Sequence, residues 1–414
     1  LKMTRITNGM LVENYMTNTN RNLNNMQTLQ KQLSSGKEIN RPSDNPYKAS
    51  RAMQLYTEID ANKQYNENIK DVSNWLDTTD TALDQMNNVL SRMRELMVTA
   101  GNGAYGTDEK KAIQDEVKEL QNQICQIMNT NFDGAYIFGG TKSTSKPVTI
   151  DENGQIAYCD KNGNAVYKTN DGIKIGLKDS ILSTDNKKNI NSVEKRNDDI
   201  LINVVDNTDP NNPIENTIGP ISLKKADGTL KTDKELEDEM NLQLGDFPTG
   251  TSKKITSLMP SFNTIDQIGS ELKVEVSQGV LIDYNINAQD ILEFTDSKTG
   301  KKINVVEVLN DIISNLGEGG DIDKVTNENL GEMDSIISNL LQNRSKVGAM
   351  TNRMESAETK NKQENLNMTD ILSKTEDIDF TEKMMEYAVM QTIYMASLQV
   401  SAKILPTTIL DYIR

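Results

Sequence analysis

Glu376, Asp377 and Asp379 sit together just ahead of a long apolar segment, and paired carboxylates at such spacing can bind a cation or act as an acid and a base. The competing reading is local: acidic side chains at a helix N-terminus complement its positive end. The local reading has more support, because the alternating Asp ladder of a calcium loop is absent and the chain contains no histidine. Two other groups invite a chemical role and fall short of it. Gly134 with Gly139-Gly140, and the isolated GNG at 101–103, follow helical segments, whereas a phosphate-cradling loop follows a strand and carries GK[ST]. Cys125 and Cys159 have no zinc or CxxC spacing; one disulfide is conceivable, but two unpaired thiols are expected, one in a helical run and one in a strand-like run. No catalytic residue, cofactor or metal site is therefore expected. The net charge of −16 argues against nucleic-acid or anionic-membrane surfaces, so neither partner is expected.

What remains is the scaffold. Helical periodicity occupies roughly residues 5–140 and 305–405, with strand-like alternation between them. In the first segment Val12, Met16, Thr19, Leu23, Met26, Gln30 and Leu33 recur in steps of four and three, a heptad seam weakened by Thr19 and Gln30. Its Asn-rich outer face makes this helix marginal without a partner. QLSSGKEINRPSDNP then reads as a joint. Gly36 suits the position that ends a helix, and Arg41 stands before Pro42, which disfavours helix. Ser43, Asp44 and Asn45 are capping residues, and Pro46 fits a first helical turn. The next helix is the strongest. Ile69, Val72, Leu76, Thr79, Leu83, Met86, Leu90, Met93 and Met97 form one stripe, and Trp75, Ala82, Val89 and Leu96 form another. Two stripes require more than one neighbour, hence a bundle. A third helix carries Ile113, Val117, Leu120, Ile124 and Ile127.

Between about 146 and 300, Asn-Gly and Asp-Gly turns near 153, 162 and 171 separate short β-prone runs: Val148–Ile150, Ile156–Tyr158, Ala165–Tyr167 and Ile173–Leu177. Residues 183–216, rich in Asn, Asp and Lys, read as exposed loop. A later hairpin alternates through Leu272, Val274 and Val276, turns at Gln278-Gly279, and alternates back through Val280, Ile282, Tyr284 and Ile286. From Val305 helix returns, with Leu330, Met333, Ile337, Leu340, Val347 and Met354 on one face and Arg344 and Thr351 interrupting it.

The last helix is unusual. Phe380, Met384, Tyr387, Tyr394, Leu398 and Leu405 make one stripe, with Ile378, Met385, Ala388, Met395 and Ala402 beside it, and no charge falls between Tyr387 and Lys403. A membrane-surface helix would carry Lys and Arg on its polar face, and this one carries Ser, Thr and Gln. Met-rich apolar stripes suit adaptable subunit contacts. Pairing the two chain ends would bury one stripe of each and leave another for neighbouring copies, the geometry of rings and helical tubes. The expected fold is thus mainly α with a β insert: an antiparallel long-helix bundle or coiled coil from both chain ends, and a small all-β domain in the middle. Residues 1–40 and 375–414 are expected to pair as terminal helices, 41–145 with 305–374 to form a helical rod, and 146–304 a β-rich outer domain. Candidate subunit-contact residues are Met16, Leu23, Met26 and Leu33 on one arm, and Met384, Tyr387, Met395, Leu398 and Leu405 on the other. Candidate joint residues are Gly36, Arg41, Pro42, Ser43, Asp44 and Pro46. The start LKMTRITNGMLVENYM lacks an unbroken apolar core and a small-residue cleavage site, so it does not read as a secretory signal.

QLSSGKEINRPSDNP, NWLDTTDTALDQM, NFDGAYIFGGT and the tail from Glu376 together resemble the flagellin superfamily of bacterial flagellar axial proteins. RPSDNP, the opening MTRITNGMLVENYM and LIDYNINA at 281–288 are similar to the hook-associated subfamily of the hook–filament junction more than to flagellins; Asn45 stands where that subfamily has a second Asp. The resemblance covers the two helical arms. It implies a structural adapter that forms a ring of copies, with the proximal hook–filament junction protein on one side and flagellin on the other. It also implies a cytoplasmic export chaperone masking the last helix, passage through the flagellar type III apparatus, and an extracellular place in the flagellum. The alternatives are flagellin itself and, from another class, a secreted coiled-coil translocator. The break at 34–46 would be the joint between inner-tube helix and rod, matched by a loop at 373–379.

Overall fold

The computed structural model describes residues 8–102, 106–169, 171–184, 187–207, 213–225, 229–244, 247–248 and 250–404. The chain divides into two compact units, Leu1–Glu67 with Glu358–Arg414, and Asn68–Ala357. Three helices lead: α1 (Asn8–Ser35), α2 (Pro46–Ala100) and α3 (Thr107–Met128). After the short hairpin β1 (Asn131–Phe132) and β2 (Ala135–Tyr136) comes a seven-stranded sheet. Its strands are β3 (Val148–Ile150), β4 (Ile156–Cys159), β5 (Ala165–Lys168), β6 (Gly172–Leu182), β7 (Lys188–Arg196), β8 (Asp199–Asp206) and β9 (Ile214–Ser222), antiparallel and in sequential order. Helices α4 (Asp233–Gln243), α5 (Thr251–Thr256) and α6 (Thr264–Ile268) follow, with a 3-10 turn at Met259–Asn263. The hairpin β10 (Lys273–Ser277) and β11 (Val280–Asp283) leads to α7 (Ala288–Leu292) and a second hairpin, β12 (Glu293–Thr295) and β13 (Lys302–Asn304). The return arm is α8 (Val305–Leu316), α9 (Ile322–Lys324), a π turn at Val325–Asn329, α10 (Leu330–Glu376) and α11 (Phe380–Ile404).

In the Asn68–Ala357 unit both stripes expected on α2 are buried, from Ile69 to Met97 and from Trp75 to Leu96. Met333, Leu340, Val347 and Met354 of α10 are buried as well. The polar residues that interrupt these seams are accommodated locally. Thr79 donates to the carbonyl of Trp75 at 2.8 Å and Thr351 to that of Val347 at 3.1 Å, so neither hydroxyl is left unpaired. Arg344 reaches Asp80 at 2.8 Å and Asp84 at 2.5 Å on α2, converting an apparent seam defect into a forked ion pair.

The loop expected over 183–216 is wrong for most of its length. β7, β8 and the start of β9 lie within it. Their Asn, Lys and Asp residues alternate with Ile190, Val193, Ile200, Ile202 and Val204, which are buried. A sheet with one face on the core needs apolar residues only at alternate positions, so average composition misleads here. The insert is also not all β, because α4, α5 and α6 pack within it. α4 is announced by a capping box: Thr232 accepts from Glu235 N, and Glu235 accepts from Thr232 N at 2.9 Å.

The Gly139-Gly140 pair has a packing role. Gly140 has φ +56°, and a Cβ there would lie 2.4 Å from the carbonyl oxygens of Gln267 and Ile268. Thr141 N donates to the Gln267 carbonyl at 2.9 Å, so the turn lies directly against α6. The two cysteines are free and buried.

Candidate assembly surface

The joint forms from backbone first. α1 ends at Gly36, whose φ of +72° places it in the left-handed region and whose N–H donates to the Gln32 carbonyl at 2.8 Å. The chain then extends, and Lys37 bridges antiparallel to Asp377. Glu38 N donates to the Glu376 carbonyl at 2.6 Å, and Ile378 N to the Gly36 carbonyl at 3.1 Å. Two breaks more than 300 residues apart in sequence are thus one short ladder. The returning break is shorter than the loop expected at 373–379, because α10 stays helical through Glu376.

Arg41, Pro42 and Ser43 lie exposed in the turn. Asp44 holds that turn by accepting from Arg41 N at 2.9 Å and Asn40 N at 3.2 Å. Asn45 caps α2 by accepting from Lys48 N at 3.1 Å, and Pro46 takes the first helical position. The three carboxylates singled out by sequence do not converge. Asp379 caps α11, accepting from Thr381 N at 2.9 Å and Glu382 N at 3.1 Å. Asp377 lies in the ladder. Glu376 is buried, pairs with Lys37 Nζ at 2.5 Å, and accepts from the Tyr56 hydroxyl at 2.8 Å. Hydrogen bonds to Glu376 and then to Tyr56 hold the Lys37 ammonium well above the usual lysine range. Sequence reading missed Lys37 and Tyr56, since nothing local joins residues 37, 56 and 376.

α1 and α11 pack along one face of each. On α1 the half-buried or buried positions are Val12, Tyr15, Thr19, Asn22, Met26, Leu29 and Leu33, spaced three then four, with Leu23 and Gln32 half-buried beside them. The expected rhythm was four then three, so Val12, Thr19, Met26 and Leu33 are shared, whereas Met16 and Gln30 turn outward. On α11 the half-buried positions are Lys383, Glu386, Tyr387, Met390, Tyr394, Ser397 and Ser401. The pairing therefore uses the more polar face of α11. Lys383 and Glu386 form an ion pair at 2.8 Å along it, and Tyr15 donates to the Ser397 carbonyl at 2.5 Å.

The apolar faces of α11 are left bare. Phe380, Met384, Met385, Val389, Ile393, Met395, Leu398 and Val400 are all at least 42% exposed. Because each is already about half covered, burying the rest of the eight would contribute on the order of 6–12 kcal/mol. A helix whose exposed faces are apolar is at home inside a larger body. Among the described residues no helix is long and apolar enough to cross a membrane. Of the residues expected to make subunit contacts, Leu23, Met26, Leu33 and Tyr387 are half-buried, while Met16, Met384, Met395 and Leu398 face outward. Leu405 lies outside the described residues.

Two family sequence models match the chain: the bacterial flagellin N-terminal helical region over residues 6–143, and the bacterial flagellin C-terminal helical region over residues 330–413. A flagellin of Clostridium tyrobutyricum is 32% identical over 138 residues, 33% of this chain and 37% of that protein. Flagellar hook-associated protein 3 of Salmonella typhimurium is 28% identical over 144 residues, 34% of this chain and 45% of that protein. The match thus spans less than half the length of these curated relatives. Among solved structures, flagellar hook-associated protein-3 from Legionella pneumophila aligns with a TM-score of 0.41 at 17% identity, covering 78% of this chain and 98% of that one.

Proposed function

Because the chain belongs to the flagellin family, whose two helical-region models together match more than half of it, we propose that it is a structural adapter of the bacterial flagellum, forming the junction between hook and filament and seating the first flagellin subunits. The observation that carries an assembly role is α11, whose apolar faces stay exposed while its polar face packs on α1. Such a surface is completed by neighbouring copies in a ring and by the proteins on either side, the proximal junction protein and flagellin. Before assembly an export chaperone masks it in the cytoplasm, and the chain reaches the cell exterior through the flagellar type III apparatus. In this reading residues 1–40 and 375–414 form the inner coiled coil, 41–145 and 305–374 the rod, and 146–304 the outer domain. Met16, Met384, Met395 and Leu398 meet partners, whereas Leu23, Met26, Leu33 and Tyr387 hold the two arms together. Gly36, Arg41, Pro42, Ser43, Asp44 and Pro46 make the joint between coil and rod.

A junction role, rather than bulk filament, is supported by RPSDNP at 41–46, by LIDYNINA at 281–288 and by hook-associated protein 3 among the relatives. The similarity to the clostridial flagellin favours the other reading, a filament subunit. Immunogold labelling of intact flagella against residues 146–300 separates the two. A short band where hook meets filament is expected; label along the whole filament would overturn the junction assignment.

A further inference from the structure

A second surface, within the Asn68–Ala357 unit, has a different chemistry. Trp75 lies edge-on to Phe132, with ring centroids 6.1 Å apart and planes at 85°, and edge-on to Tyr284, at 5.9 Å and 82°. These three rings, with Val72 and Ala135, line a groove of about 540 Å³ whose remaining lining residues are Asp71 and Asp133. Trp75 and Val72 are buried, Phe132 and Tyr284 are half-buried, and both carboxylates are exposed. Among the described residues neither Asp71 nor Asp133 makes an ion pair. The rings border the hydrophobic core, and the two carboxylates stand at the solvent-facing rim of the groove.

We propose that this groove receives an arginine side chain carried by a neighbouring protein chain. The rings attract a cation through their electron-rich faces, and the two carboxylates supply the opposite charge. Guanidinium suits this site better than ammonium. It is flat, so it can lie against Phe132 and Tyr284, and its fork of five N–H donors can serve two carboxylates at once. The proposal is independent of whether the chain sits at the junction or in the filament.

Trp75 is the chain's only tryptophan, so its emission reports on the groove directly. The experiment titrates the full chain with N-acetyl-arginine N-methylamide, alongside the glutamine and lysine counterparts, in wild type and in an Asp71→Asn/Asp133→Asn double variant. A saturable emission change is expected with the arginine compound and not with glutamine. Half-saturation should rise at least tenfold in the double variant, which loses the charge-assisted contacts to both carboxylates. Both substitutions fall at exposed, unpaired positions, so the fold is retained. No saturable response, an equal response to glutamine, or an unchanged response in the double variant would each overturn the site. A lysine response matching that of arginine would overturn the guanidinium assignment.

Discussion

Tyr15 donates its hydroxyl to the carbonyl of Ser397 at 2.5 Å, joining α1 to α11 across 382 residues of sequence. It is a polar contact at a seam position where apolar side chains would give more stability. The apolar faces of α11 stay exposed beside this contact. Tyr15→Phe keeps the ring and removes one hydrogen bond, at a cost of about 1 kcal/mol. Hydrogen exchange of α1 and α11 amides should then quicken by about fivefold, with the Asn68–Ala357 unit unchanged. Equal rates in the two proteins would show that the hydroxyl contributes nothing.

Lys37 and Glu376 join the two breaks of the chain. In Lys37→Met the buried Glu376 carboxylate keeps only the Tyr56 hydroxyl as its side-chain partner. Because Lys37 itself is 39% exposed, solvent screens much of the pair, and a loss of about 1 kcal/mol is expected in thermal melts of the full chain. The raised lysine pKa means this contribution is fully present below the ordinary lysine pKa and is lost only as pH rises through the elevated value. Wild-type and variant melts should therefore differ by the same amount at pH 6 and pH 8.

The thiols should be inert in the native chain. Burial pushes Cys125 up to about 11, and burial is also the main cause that raises Cys159. At neutral pH almost no thiolate exists at either position, and thiolate is the reactive form. A colorimetric thiol reagent should leave both unmodified until denaturant is added, when two equivalents react. Fast labelling of the folded chain would contradict this burial.

Acid should loosen α4. Hydrogen bonds from Lys225 and then from the Thr232 backbone lower Glu235 to about 2 from 4.5. A depressed carboxylate contributes stability above its unfolded pKa and loses it as pH falls through the folded one, so the window is between about 4.5 and about 2. Amide signals of residues 233–243 should broaden across that window in wild type, and Glu235→Gln should flatten the dependence.

Much of this was legible in the sequence, for reasons that show where reading fails. The α2 stripes from Ile69 to Met97 are long, and their period leaves no competing phase. Gly36 and Pro46 mark the helix ends because each has a backbone preference independent of its surroundings. α1 was harder: Met16 and Tyr15 are both apolar enough to serve the seam, and only the partner helix decides between them. On α11 the side used within the chain joins Tyr387 and Tyr394 of one expected stripe to Lys383, Glu386, Ser397 and Ser401, a mixture that hydrophobicity alone does not mark. A helix apolar on several sides carries no periodic mark of which neighbour it meets first. The Lys37, Tyr56 and Glu376 cluster was out of reach, being made by tertiary pairing alone.

The most direct test of the account is charge placed on the bare face of α11. Met384→Asp, Met395→Asp and Leu398→Asp together alter three exposed side chains and leave the half-buried Tyr387, Met390, Tyr394 and Ser397 in place. The variant should keep its circular dichroism and the melt of its Asn68–Ala357 unit, and it should fail to assemble when assayed by sedimentation and electron microscopy. Assembly indistinguishable from wild type would contradict the assignment of this face to subunit contact.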